Sequence, residues 1–213
     1  MEEPRRREIA ALGRALAAAG LLSLTAGNIS ARAGTSIVIT PSGIPYDDTD
    51  ASDVVVCSLK SGAIVDGRRR PSSELPLHRA IYAARPDVGA IVHTHSRFAT
   101  TLAVLRQPIP AVHYMIARLA ADAVPVVGYA TYGSDELAGL VRETLAGGAW
   151  AALLANHGAI ALGRDLTEAG LNAQILEDLA ETYWRARTIG EPFVLDADEL
   201  RRVGGHFETY GQP

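Results

Sequence analysis

The sequence predicts an α/β protein whose sheet has much antiparallel pairing and is covered by helices. Three observations point there. Amphipathic helical stretches and short β-branched runs are interleaved along the chain. Their order lacks the strict strand–helix–strand rhythm of a doubly wound sheet. Turn signals such as Lys60-Ser61-Gly62 follow strand-like runs closely enough for hairpins. The 213 residues, 48% hydrophobic and 21% charged, suit one substantial domain over residues 1–213. No repeat, low-complexity tract or interdomain linker interrupts it.

Residues 4–19 read as the first helix. Ile9, Leu12, Leu16 and Ala19 recur at helical spacing, Gly13 weakens the stretch slightly, and Gly20 ends it. Arg5-Arg6-Arg7 imitates the start of a signal peptide, but Glu8 and Arg14 break the apolar run. Residues 36–40 and 54–58 are strands, with the tight loop 41–45 between them. After the turn at Lys60-Ser61-Gly62 and the loop 67–71, Ser72-Ser73-Glu74 reads as the capped start of a helix over 75–84. A strand over 88–95, a helix over 96–105 and a strand over 124–127 follow. Ser134 caps a helix to about 146. Strands 151–155 and 159–162 flank Asn156-His157-Gly158. A long helix runs from Thr167 to Gly190, and a short one covers 198–203.

Composition narrows the function classes. Twenty basic and 24 acidic side chains leave a formal charge of −4, so there is no general pull on nucleic acid or an anionic membrane. Arg68-Arg69-Arg70 reads as a solvated charged loop. No apolar run reaches the roughly 20 residues of a membrane span. Cys57 is the only cysteine, which excludes an internal disulfide and a cysteine metal cluster and fits a reduced, cytoplasmic setting.

The chemistry concentrates in three histidines and a glutamate. His93 and His95 stand two apart in a predicted strand, so they share a face about 6.6 Å apart along it. On a helix the same pair would diverge. His157, in a turn where Gly158 lets the backbone bend, completes a set of three nitrogen donors. Such a set can hold zinc, and also iron, cobalt or nickel, with a position left for substrate. Glu74 beside it offers a general acid/base. His78, four residues on, lies on the same helical face as a hydrogen-bond partner for it. His113 and His206 read as local polar residues. Gly27-Asn28, Ser42-Gly43 and Ser72-Ser73 are small polar loops whose backbone N–H groups suit a phosphate. Without those loops, the metal and acid fit a hydrolase nearly as well.

These residues stand in ordered motifs: Thr25-Ala26-Gly27-Asn28-Ile29-Ser30, Ile39-Thr40-Pro41-Ser42-Gly43-Ile44-Pro45-Tyr46, Pro71-Ser72-Ser73-Glu74, Val92-His93-Thr94-His95, Ile109-Pro110-Ala111-Val112-His113-Tyr114-Met115-Ile116, Tyr129-Ala130-Thr131-Tyr132-Gly133, Asn156-His157-Gly158 and Phe207-Glu208-Thr209-Tyr210-Gly211. Together they resemble the class II aldolase/adducin family nearly end to end, most closely its fuculose-phosphate aldolase branch. The resemblance implies a three-layer α/β/α fold around a largely antiparallel sheet, in a homotetramer. It implies zinc (Zn2+) on His93, His95 and His157, with Glu74 as acid/base and Asn28, Ser42, Gly43, Ser72 and Ser73 around a substrate phosphate. Tyr114 would reach a neighbouring subunit's site, while Tyr132, Phe207 and Tyr210 would line the aldehyde end. Tyr132 departs from the branch, which usually has Phe there.

The reaction so implied is reversible cleavage of a ketose-1-phosphate, such as L-fuculose-1-phosphate, to dihydroxyacetone phosphate and a short aldehyde. The chain's only lysine, Lys60, sits in a turn, which disfavours Schiff-base chemistry. Rivals within the family are 5-deoxyribulose-1-phosphate aldolases, methylthioribulose-1-phosphate dehydratases, sugar-acid-phosphate decarboxylases and pentulose-phosphate 4-epimerases. The epimerases usually carry Asp at the Glu74 position. An adducin-like, non-enzymatic module lacks the complete ligand set.

Overall fold

The computed structural model describes residues 2–119, 122–207 and 209. Its centre is an eight-stranded sheet in the order β4-β3-β2-β1-β5-β10-β9-β8. These strands are β1 (Asn28–Ala33), β2 (Ser36–Ile39), β3 (Val55–Ser58), β4 (Ile64–Asp66), β5 (Ala90–Thr94), β8 (Val126–Val127), β9 (Ala151–Leu154) and β10 (Gly158–Gly163). Every neighbouring pair is antiparallel except β8 with β9, so the sheet is mixed but largely antiparallel, as the sequence implied. A separate ribbon pairs β6 (Ile109–Pro110) with β7 (Ala123–Val124).

Helices cover both faces. On one face, α2 (Leu75–Ala84) and α4 (Asp135–Leu145) bury Leu77, Ile81, Leu137 and Val141 against Ile37, Ile39, Ile91 and Ile160. The opposite face carries α1 (Glu2–Ala18), α3 (Arg97–Val104) and α5 (Leu166–Ile189). There Ile9 and Leu16 meet Ile29, Val38 and Val92, while Leu102 and Leu176 meet Leu153 and Ala159. The period of two explains the layering: Ile91 of β5 faces one layer while Ala90 and Val92 face the other. The last helix, α6 (Ala197–Phe207), packs beside a 3-10 turn, Tyr114–Arg118.

Several elements differ from the sequence reading. The sequence predicts a loop at Gly27-Asn28, but Asn28 opens β1, a central strand paired with β2 on one side and β5 on the other. The predicted strand 124–127 divides at Pro125: β7 joins the ribbon and β8 the main sheet. Proline has no N–H to continue a ladder. β4 is an exposed edge strand behind the foreseen hairpin turn. The final helix is longer than 198–203.

One polar and one steric detail hold α1 in place. Arg6, part of the charged run at the start, is buried and donates to Val54 O at 2.6 Å and Asp66 at 2.5 Å. Gly13 does more than weaken a helix. A Cβ there would stand 2.7 Å from the Tyr46 ring, so the glycine permits that close approach.

Candidate active site

Three strand ends and one helix start build the site. His93 lies in β5, and His95 follows just beyond its end. His157 precedes β10, after Asn156, whose φ of 53° makes the turn. Thus Asn156, not Gly158, takes the left-handed backbone. Gly158 serves by having no side chain: a Cβ would lie 2.3 Å from Thr94 O and 2.9 Å from His95 Cδ2. Glu74 immediately precedes α2 but makes no side-chain cap for it. Its carboxylate turns into the site, where it is almost fully buried.

The geometry concentrates electron-rich atoms. The donor atoms of His93, His95 and His157 lie within 4.8 Å of one another. Nε2 of His93 is 3.0 Å from Nε2 of His95 and 2.9 Å from Glu74 Oε2. Nε2 of His157 is 3.4 Å from Glu74 Oε1. His93 donates its Nδ1–H to Ala159 O at 2.9 Å, so in the neutral ring Nε2 is a lone pair. Lone pairs and a carboxylate oxygen this close need a positive centre between them, a proton or a metal ion. Buried Glu74 Oε1 makes no hydrogen bond. A metal ion fits both facts, since tetrahedral zinc at roughly 2.0–2.1 Å from each nitrogen sets nitrogens at a similar spacing.

The charges respond accordingly. Burial pushes Glu74 up, but His93 and His157 beside it outweigh burial and hold the carboxyl well below the usual range. Burial pushes His93 down, while Glu74 pulls it above its ordinary value. Burial, with His93 and His157 nearby, lowers His95 to about 4. Burial and His93 lower His157 as well. His95 and His157 are therefore neutral ligands at neutral pH.

A cleft of about 320 Å³ opens beside these groups. Asn28, Ser42, Gly43, Ser72, Ser73 and Tyr132 all line it, as the sequence anticipated. The anion-binding detail differs. The Ser42 N–H donates to Arg70 O and the Ser72 N–H to Thr40 O, each at 3.0 Å, because those two N–H groups stitch the loops together. Among the described residues, the N–H groups of Gly43 and Ser73 make no such bond. Asn28 is not in a loop, and its amide donates to Glu74 Oε2 at 2.9 Å. The His78 ring does not reach the Glu74 carboxylate; it bonds Asn28 and Ser30, and only the His78 backbone N–H meets Glu74, at its carbonyl.

Tyr114 and Phe207 do not line this cleft. They stack on each other, ring centroids 6.2 Å apart, at a separate apolar hollow with Met115 and Leu171. Tyr210 lies outside the described residues. Thr25, Tyr129 and Asn156 line the cleft and were not singled out as site residues, although each stands inside a quoted motif. His113 accepts a bond from its own Met115 N–H, the local role expected of it.

The family model described as "Class II Aldolase and Adducin N-terminal domain" matches residues 7–184. The chain belongs to this family. A 5-methylthioribulose-1-phosphate/5-deoxyribulose-1-phosphate aldolase of Rhodospirillum rubrum is 48% identical over 194 residues, 90% of this chain and 86% of the relative. A 5-deoxy-D-ribulose 1-phosphate aldolase of Bacillus thuringiensis serovar kurstaki is 41% identical, covering 97% of each. A solved L-fuculose 1-phosphate aldolase superposes with a TM-score of 0.92 at 39% identity, covering 96% of each chain. The chain is a class II aldolase, a lyase; such enzymes are typically metal-dependent, and its histidine triad could hold a metal ion.

Proposed function

We propose that the chain, as one class II aldolase domain over residues 1–213, catalyses the zinc-dependent, reversible cleavage of a ketose-1-phosphate. The products are dihydroxyacetone phosphate and a short aldehyde. The observation that carries this reading is the buried Glu74 carboxylate against the three histidines, at the floor of a cleft rimmed by Ser42, Gly43, Ser72 and Ser73. The bound metal would supply Lewis acidity to the substrate's carbonyl and adjacent hydroxyl.

The chain's own residues do the rest. Hydroxyls and free N–H groups of the rim hold the phosphate and so align the reacting carbons. The second N–H of the Asn28 amide is available to the same phosphate. Glu74 carries the proton at the third carbon. Ionised, it abstracts that proton in condensation and becomes the carboxylic acid; in cleavage the protonated form delivers the proton and returns to the carboxylate. Tyr114 exchanges the proton of the aldehyde oxygen from a neighbouring subunit of a homotetramer. That role agrees with its place outside its own chain's cleft. Tyr132 walls the aldehyde end.

Among ketose-1-phosphates, 5-deoxyribulose-1-phosphate and methylthioribulose-1-phosphate come before L-fuculose-1-phosphate. This reverses the order that the motifs favoured, and the relatives at 48% and 41% identity are what support it. All three substrates leave short aldehydes with small ends. Glu rather than Asp at position 74 continues to speak against a 4-epimerase. The setting is cytoplasmic; among the described residues, no helix is long and apolar enough to cross a membrane.

The test is a panel of ketose-1-phosphates offered to zinc-loaded protein, with dihydroxyacetone phosphate measured enzymatically and kcat/KM compared. Release from the 5-deoxypentulose phosphates at the highest kcat/KM supports the reading. Release from none of them, with no condensation of dihydroxyacetone phosphate and acetaldehyde or lactaldehyde, refutes it.

A further inference from the structure

A buried polar stripe runs away from the active site between β1 and α2. Asn28 and Ser30, two apart, share a face of β1; Glu74, His78 and Tyr82 follow at four-residue steps on α2 and just before it. All five are buried, His78 and Ser30 completely. The contacts are continuous. Tyr82 Oη is 2.9 Å from Ser30 Oγ, and Ser30 Oγ is 2.6 Å from His78 Nδ1. His78 Nε2 is 2.5 Å from Asn28 Oδ1, and Asn28 Nδ2 is 2.9 Å from Glu74 Oε2.

Chemistry fixes the direction of every bond. An ionised carboxylate only accepts, so the Asn28 amide must present its NH2 to Glu74 and its carbonyl to His78. The carbonyl only accepts, so His78 carries its proton on Nε2. Nδ1 is then a lone pair and accepts the Ser30 hydroxyl proton, which leaves Ser30 Oγ to accept from Tyr82. Four hydrogen bonds point one way, toward the carboxylate, and polarise one another. The last of them ends on Oε2, which also lies 2.9 Å from His93 Nε2, whereas Oε1 makes no hydrogen bond and lies 3.4 Å from His157 Nε2.

We infer that His78 is a positioning residue which, through Asn28, locks Glu74 with Oε2 as an acceptor and Oε1 as the proton-carrying oxygen. This rests on the reading of Glu74 as the acid/base. It adds the group that holds that base in register with the substrate carbon.

The experiment is a double-mutant cycle on zinc-loaded protein, using His78→Phe, His78→Gln and Glu74→Gln, with zinc content and thermal unfolding measured alongside. His78→Phe keeps the ring volume without a donor. It is expected to lower kcat at least tenfold, with KM within about twofold and zinc content unchanged. His78→Gln, which restores an N–H, is expected to recover at least threefold of that loss. In the Glu74→Gln background, His78→Phe should add nothing to the loss of residual kcat. Wild-type kcat in His78→Phe, or the same fold loss in both backgrounds, overturns the inference. Should Glu74→Gln alone keep full activity, the acid/base reading fails, and the inference with it, on a separate arm. A readout independent of any variant's folding is the 15N spectrum of the zinc-loaded wild type. A neutral His78 protonated on Nε2 supports the chain; protonation on Nδ1 overturns it.

Discussion

Gly158→Ala tests whether the strand pairing sets the metal site. The added Cβ would lie 2.3 Å from Thr94 O, 2.9 Å from His95 Cδ2 and 3.4 Å from His93 Cε1. Ordinary contact begins near the last of these distances, so β10 must move from the end of β5 by about 1 Å. Thr94 is paired with Ala159, and the Ala159 carbonyl receives the His93 Nδ1–H. Opening the pair therefore strains the ladder and loosens the bond that orients a ligand. Overpacking of this kind costs about 1–3 kcal/mol. At about 2–4 °C per kcal/mol for a chain of this size, the metal-free protein should melt roughly 2–12 °C lower. Disturbed ligand orientation should weaken zinc binding about 10–100-fold. Gly139→Ala in α4 is the control, because a Cβ there meets nothing within 4 Å and improves helix propensity. Thermal unfolding without metal, and zinc competition against a chromogenic chelator, read both quantities. A Gly158→Ala protein with wild-type melting and wild-type zinc affinity would refute the argument that this close approach shapes the site.

Three further outcomes follow from the same geometry. His93→Ala removes the fully buried ligand nearest the Glu74 carboxylate, so bound zinc measured by elemental analysis should fall from about one per chain to well below half; unchanged stoichiometry would remove His93 from the ligand set. The metal-free protein should lose stability in mild acid. Burial lowers His78 to about 3, against about 6.5 unfolded. The unfolded chain therefore takes up the proton first as pH falls. Stability is full above 6.5 and declines below it, by about 2 kcal/mol at pH 5. Urea unfolding at pH 7.5 and 5.0 measures this, and the difference should shrink in His78→Gln. Glu177→Ala should destabilise the protein by about 2 kcal/mol, because that carboxylate accepts from Ser96 Oγ, Phe98 N–H and Ala99 N–H at the start of α3. Chemical denaturation within 0.5 kcal/mol of wild type would show the cap to be dispensable.

The approach of His93, His95, His157 and Glu74 to one another was legible in the sequence because these residue types are rare together and the two histidines of His-x-His share a face of a strand. The layers were legible through helical periodicity and through β-branched runs such as Ile37-Val38-Ile39. What stayed hidden was pairing. Glu177 reads as one more acid on a long helix until α3 packs beside it. Pro125 was passed over inside a predicted strand, although a residue without an N–H is where a ladder breaks.

β1 shows the physical reason most clearly. Its residues do alternate, with Ile29 and Ala31 packed toward α1 and α5. The other face carries Asn28, Ser30 and Arg32, which a hydropathy pattern assigns to solvent. Instead it meets α2, where Arg32 donates to the carbonyls of Tyr82, Arg85 and Val88, and Asn28 and Ser30 join the chain to Glu74. Each of these groups buried alone would cost about 1–3 kcal/mol in lost hydration. Such a face survives only if every donor finds an acceptor, so the polar residues of β1 and α2 form a set rather than a series of tolerated exceptions. That set ends at Glu74 Oε2. The strand hidden from hydropathy is therefore also the element that holds the proposed acid/base, and both follow from turning a polar face inward.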